Sequence, residues 1–145
     1  MAKLNRFIID SDVEAMKIVG IDNLTMTLQA YSIPYTGGSS RTVTQTITVP
    51  SGVYFDISSV KTDWVPGVVP AGIPSIQFSK AVDSAQYPTK AVLEVTVKKT
   101  SSTQYVIEAY QTVQWGGSGS SQATVNFPKT NITAKLVRLV PSSQQ

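Results

Sequence analysis

Apolar and polar residues alternate at every second position over much of this chain, and that period restricts what the chain can fold into. Residues 24–30 read Leu-Thr-Met-Thr-Leu-Gln-Ala, and residues 41–49 repeat the pattern with valine and isoleucine against threonine. Successive side chains of a β-strand point to opposite faces of the sheet. The alternation therefore predicts antiparallel strands with one face on a core and the other in water.

Eight segments have the composition of short strands, and turn residues separate most of them. The predicted strands cover residues 24–30, 41–49, 53–57, 75–79, 91–98, 105–113, 123–127 and 132–140. The glycines and prolines between them permit positive φ or remove a backbone donor, so strands end there. Short strands at this spacing predict an all-β fold with little helix, an antiparallel β-sandwich of the jelly-roll or Ig-like kind.

The chain has 145 residues, which suits a single domain. We expect residues 1–20 to form an N-terminal arm or a short helix, because Ser11-Asp-Val-Glu14 has the form of a capping box. The single β-sandwich domain is predicted over residues 21–141. The last four residues, 142–145, are predicted to be a disordered tail.

The fifth and sixth predicted strands are expected to form a hairpin, and their apolar faces indicate its register. Opposing Leu93 to Ala109 joins the two apolar faces. The same register opposes Glu94 to Glu108, and like charges directly opposite each other are destabilising. Two alternatives therefore stay open: a nearby lysine compensates, or the register is shifted by two residues.

The composition argues against an enzyme. The chain contains no cysteine and no histidine, which excludes disulfides, Cys/His zinc sites and Ser-His or Cys-His catalytic pairs. Glu94 and Glu108 are the one pair that could imitate a glycosidase dyad, and they fall on the wet face of the predicted hairpin. Asp10-Ser-Asp12 is not followed by the further oxygen ligands of a calcium loop. We predict no catalytic residue, no metal site and no cofactor.

The net charge of +3 does not predict a nucleic-acid partner. Residues 89–145 carry six lysines and arginines against two acidic residues, but no basic run is longer than two. Nucleic-acid surfaces need a denser basic stripe, with interleaved aromatic residues where single strands bind. The apolar run at residues 7–9 is shorter than a secretory signal, and no stretch approaches the roughly 18 apolar residues that span a bilayer. We expect that the protein is made in a cytoplasm and that it does not insert into a membrane.

Two apolar segments lie where a small sandwich has little room to bury them, one in the N-terminal arm and one in a proline-rich stretch. We predict that they form an oligomer interface. The predicted interface residues are Leu4, Phe7, Ile8, Ile9, Val65, Val68, Val69 and Ile73. Three aromatic residues beside loops, Trp64, Trp115 and Tyr35, offer a different use, because exposed rings can stack on sugars.

The two ends of the chain carry a resemblance to a known group of proteins. The opening Met1-Ala-Lys-Leu-Asn-Arg-Phe-Ile-Ile-Asp-Ser-Asp12, followed by Lys17-Ile18, resembles the start of small virion-associated proteins of tailed phages and prophages. The segments Ile47-Thr-Val-Pro-Ser-Gly52 and Ala134-Lys-Leu-Val-Arg-Leu-Val-Pro141 are similar in style.

This resemblance implies a non-enzymatic structural protein of a phage virion or tail. Such a protein is made in the cytoplasm of the bacterial host, assembles as a homo-oligomer and contacts other virion proteins. The composition agrees, since few charges, many threonines and serines and no cysteine suit an assembled virion component. The alternative is a carbohydrate- or receptor-binding β-sandwich module that contacts a cell-surface glycan, because adhesin-like modules share this composition.

Overall fold

The computed structural model describes residues 16–34, 40–69, 74–82, 89–115 and 124–141, and strands dominate these ranges. The strands are β1 (Met16–Leu28), β2 (Tyr31–Pro34), β3 (Ser40–Thr48), β4 (Val53–Thr62), β5 (Gly67–Val68), β6 (Ser75–Ala81), β7 (Thr89–Ser101), β8 (Gln104–Trp115), β9 (Thr124–Phe127) and β10 (Thr130–Pro141). No helix occurs in the described ranges. The predicted all-β class is confirmed.

The strands form two main antiparallel sheets with a core between them. One sheet has three strands in the order β1-β10-β4, and the other has five in the order β3-β8-β7-β6-β5. The first strand pairs with the last, and β3 pairs with β8, so the chain is paired in a nested way. In the immunoglobulin order the first two strands are neighbours in one sheet. The nested order is therefore closer to the jelly-roll alternative.

A third, two-stranded sheet of β2 and β9 continues the ladder of β1 and β10. Leu28 pairs with Thr130, and after a two-residue break in each chain Tyr31 pairs with Phe127 in unchanged register. Leu28 and Ile33, which are an odd number of residues apart, are both buried. The ribbon therefore turns its other face inward at the break, as strands do at the corner of a sandwich.

The core follows the period-two pattern of the sequence. The main cluster fills the space between the three- and five-stranded sheets, and its largest fully buried side chains are Phe78, Leu28, Leu93, Ile107 and Val95. A smaller cluster lies under the β2–β9 ribbon and contains Ile33, Ala91, Val125 and Phe127.

All eight predicted strands overlap strands of the structure, with longer boundaries in most cases. The short strands β2 and β5 were not predicted. Strand β1 begins at Met16, so residues 16–20 belong to the sheet rather than to an arm or a helix. The reason is that their backbone pairs with β10, which satisfies donors and acceptors that a short helix would leave open. Residues 1–15 of the predicted arm and the predicted tail, 142–145, lie outside the described residues.

The β7–β8 hairpin adopts the shifted register. Glu94 lies opposite Tyr110, and Glu108 lies opposite Thr96, so the two glutamates no longer face each other. The predicted register that opposes Glu94 to Glu108 is wrong by two residues along the strand. Both registers keep the same side chains on the core face, because a shift of two preserves the alternation.

Side-chain hydrogen bonds stabilise the turn that closes this hairpin. Ser101 pairs with Gln104 after an irregularity that follows Lys99. The hydroxyl of Thr100 donates to the Gln104 carbonyl at 3.3 Å, and the Thr103 amide donates to the Ser101 hydroxyl at 3.2 Å. Serine and threonine at these positions replace the backbone bonds that the irregularity removes.

Candidate functional site

The segment that links β4 to β5 is held by the hydroxyl of Thr62. Its Oγ1 accepts the amide of Trp64 at 3.1 Å and the amide of Val65 at 3.4 Å. This local turn carries both side chains back onto the sandwich, where they are half-buried and pack against the main core. Val65, which the sequence assigned to an oligomer interface, therefore packs against the core of its own chain.

Gly67 brings β5 directly onto the face of a core ring. It pairs with Phe78, whose ring is buried. A Cβ at Gly67 would lie 2.4 Å from Cε1 of Phe78, which is too close for any side chain. Glycine is therefore required here for the close approach of the backbone.

The residue that follows Gly67 is turned outward by this pairing. Val68 lies opposite Gln77 on the outer face of the sheet and is 75% exposed, and Val69 is also exposed. These two valines, called the β5 patch below, are the part of the predicted interface that the structure places at the surface. The other predicted interface residues, Leu4, Phe7, Ile8, Ile9 and Ile73, lie outside the described residues.

A groove of about 460 Å³ adjoins the β5 patch, and the polar residues Ser58, Lys61 and Thr62 line part of it. It opens between β4 and the β5–β6 edge of the other sheet, and the core residues Val60, Ile76 and Phe78 line it. Val65 and Val69 complete its apolar walls. A concave surface lined by core residues next to exposed valines is a surface suited to apolar contact with another chain.

The tryptophan predicted to stack on ligands has the contacts of a packing residue. Trp64 is half-buried, and its ring centroid lies 5.4 Å from that of Phe127 at an angle of 51°. It packs against both apolar clusters. Trp115 is the last residue of β8 and pairs with Thr89 through the backbone. The structure does not describe the ring of Trp115 or any part of Tyr35.

Cationic side chains lie over the rings of two exposed tyrosines, Tyr31 and Tyr54, and of the buried Tyr105. The Lys99 ammonium lies 5.3 Å from the ring centroid of Tyr54 and 5.8 Å from that of Tyr105. The Arg41 guanidinium lies 4.9 Å from the ring centroid of Tyr31. These cation–π contacts occupy ring faces that a sugar would need.

The two glutamates of the candidate glycosidase dyad do not face each other in the structure. Glu94 and Glu108 lie on the outer face of the five-stranded sheet, with Tyr110 and Thr96 opposite them. No group of three or more acidic, histidine or cysteine side chains comes together within the described ranges. Asp10 and Asp12 lie outside those ranges. The described part of the chain also has no helix with the length and apolar character needed to cross a membrane.

Four further exposed apolar residues lie at one end of the three-stranded sheet, and the sequence did not assign them to a site. They are Ile18, Val19 and Ile21 of β1, at 45%, 45% and 53% exposure, and Tyr54 of β4, at 40%. The available signal was the run Ile18-Val-Gly-Ile21, which is apolar but does not alternate. The prediction places residues 18–20 of this run in the N-terminal arm, so their position in a sheet was missed.

Comparison of the chain with protein-family models, curated proteins and solved structures finds no match. The functional conclusion therefore depends on the surface of the molecule. Exposed apolar residues lie on both sheets, in the β5 patch and at the β1 end of the three-stranded sheet. Contiguous exposed apolar patches are where contacts between protein chains commonly form.

Proposed function

We propose that the protein is a non-enzymatic structural component of a phage virion or tail and that it assembles as a homo-oligomer. The observation that carries the proposal is the β5 patch. Val68 is 75% exposed and is turned outward by the pairing of Gly67 with Phe78, so it cannot fold back onto the core. A groove lined by core residues adjoins it. Burial of this surface by another copy removes apolar area from water.

The virion assignment is supported by the resemblance at the two ends of the chain and by the composition. Charged residues make up only 14% of the chain, and it has 17 serines and 16 threonines. Threonine is β-branched, so at the outward positions of strands it favours β-structure without adding much apolar surface. Such a protein is made in the host cytoplasm, and its partners are copies of itself and other virion proteins.

The glycan-binding alternative has less support. Trp64 packs against Phe127, and the faces of Tyr31 and Tyr54 carry Arg41 and Lys99. A sugar would have to displace these cations before it could stack on the tyrosines.

Light scattering coupled to size-exclusion chromatography tests the proposed assembly. We expect the wild-type protein to have a mass that is a multiple of 15.6 kDa at tens of micromolar. Val68→Asp should lower that mass, because it would bury an unpaired carboxylate in the contact. Thr46→Asp on β3 introduces the same charge at the opposite edge of the same sheet and should leave the mass unchanged. A monomeric wild-type protein would overturn the homo-oligomer.

The virion role has its own test. Mass spectrometry of phage particles purified from the source of the gene should detect the chain in stoichiometric amounts. Its absence from the particles, with the protein present in the lysate, would overturn the virion assignment and leave the oligomer standing.

A further inference from the structure

Strand β1 is a long edge strand with an open side. It has 13 residues and, among the described residues, pairs only with β10. Other edges of the sandwich are shorter or interrupted: β5 has two residues, and β4 leaves the β10 ladder between Asp56 and Lys61. Unprotected edges of this length offer backbone donors and acceptors to another strand.

A β-bulge in β1 brings two isoleucines to the same face of the sheet. Ile18 pairs with Leu139, and Gly20 pairs with Arg138, so Val19 is the extra residue. In a regular strand, residues three apart point to opposite faces. The bulge changes this alternation, so that Ile18 and Ile21 both lie on the outer face.

These isoleucines belong to an apolar patch that spans all three strands of the sheet. Ile21, Val137 and Tyr54 lie side by side in one cross-strand row, and Ile18 and Leu139 lie in the next. We call these five residues the end patch. The neighbouring row on the same face is polar and consists of Asn23, Lys135 and Asp56. The apolar surface is therefore confined to the end of the sheet, and it adjoins the open edge of β1.

We infer that the open edge is covered by β1 of a second copy, paired antiparallel about a two-fold axis between Val19 and Gly20. In this register, Ile18 lies opposite Ile21 of the second copy, and the end patches of both copies merge. Lys17 lies opposite Asp22 of the second copy on the inner side of the strand. The inference rests on the proposed homo-oligomer and specifies one of its contacts.

Charge complementarity selects this register. Asp22 is already oriented by Arg138, with Oδ2 at 3.3 Å from Nη2, and both side chains are largely exposed. Across the axis, the Asp22 carboxylate receives Lys17 as a second cation, and the symmetry forms this ion pair twice. A shift of two residues in either direction opposes Lys17 to Gly20 or to Leu24 and loses both ion pairs.

The β1 contact and the β5 patch lie on different sheets and can be used together. Pairing of β1 joins two three-stranded sheets into one of six strands and closes the open edge. Because this contact is self-complementary, it forms a dimer and ends there. A second contact through the β5 patch then links dimers into a larger closed assembly.

A charge exchange tests the register directly. Lys17→Glu and Asp22→Lys should each weaken association by about tenfold, measured by sedimentation velocity, because each places like charges opposite each other twice. The double variant restores opposite charges across the axis and should recover most of the wild-type affinity. Lys98→Glu, on the outer face of the other sheet, is the control and should have no effect. Single variants that weaken association without recovery in the double variant would overturn the register.

The apolar part of the contact is tested on the same strand. Ile21→Lys should remove the β1 contact, whereas Thr25→Lys, which lies on the same face farther along β1, should not. Val68→Asp should leave a dimer held through β1. If Val68→Asp yields monomers and neither the charge variants nor Ile21→Lys changes the mass, this inference fails and the homo-oligomer stands. A monomeric wild-type protein overturns both.

Discussion

At the scale of single residues, Gly67 determines whether β5 can join the five-stranded sheet. Gly67→Ala should destabilise the fold by about 1–3 kcal/mol, because a methyl group would overlap the buried Phe78 ring. Urea unfolding followed by circular dichroism measures the change. Gly20→Ala is the matched control, since a Cβ there would meet only the Cβ of Arg138 at 4.0 Å. Equal losses in both variants would show that the approach to Phe78 is not what requires glycine.

A buried glutamine lowers the stability of the fold in a way that the sequence pattern could not reveal. Gln111 is 1% exposed, its Oε1 accepts a bond from Arg41 at 3.4 Å, and its Nε2 has no acceptor among the described residues. A buried donor without a partner costs about 1–3 kcal/mol. Gln111 faces the core in both hairpin registers, so this cost does not decide between them. Glu94 and Glu108 lie directly opposite each other in only one of the two registers. Their repulsion destabilises that register and therefore favours the other.

At the scale of strands, the sequence predicted that β7 pairs with β8 but did not settle their offset, and it predicted none of the other strand pairs. A period of two identifies the core face of β7 and β8, and a shift by two residues leaves that face unchanged. The strands β2 and β5 have four and two residues, too few to show a period. The bulge at Val19 changes the alternation locally, so the surface role of Ile18 and Ile21 could not be read from spacing.

The hairpin register can be tested with engineered disulfides, because the chain has no cysteine of its own. Thr96→Cys with Glu108→Cys places two thiols directly opposite each other, within the Cα separation of about 4.4–6.8 Å that a disulfide needs. Glu94→Cys with Glu108→Cys places them on a diagonal, at about 7–8 Å. Oxidation should close the first pair and leave the second as free thiols by mass spectrometry. The reverse result would restore the register that opposes the two glutamates.

At the scale of the whole molecule, packing between the strands decides which apolar residues of one segment stay at the surface. The sequence grouped Val65, Val68 and Val69 because they share one apolar segment. Packing separates them: the Thr62 turn carries Val65 to the core, and the pairing of β5 with β6 turns Val68 outward. The exposure of a residue in such a segment depends on the turn before it and on its register with the next strand, β6, and neither shows as a period in the sequence. That part of the candidate site was therefore beyond prediction from local pattern.

Association should also stabilise the fold, since a contact made only by folded chains favours the folded state. For a dimer, a hundredfold rise in concentration adds about 1.4 kcal/mol per chain, which corresponds to a rise in Tm of a few degrees. We expect calorimetry to show this rise for the wild-type protein. The variant that combines Ile21→Lys with Val68→Asp removes both contacts and should melt at a lower temperature that does not change with concentration. The contrary outcome is an oligomeric wild-type protein whose Tm does not change with concentration. Chains that associate equally well when unfolded gain no stability from association. That outcome would therefore show that the contacts do not require the folded sandwich.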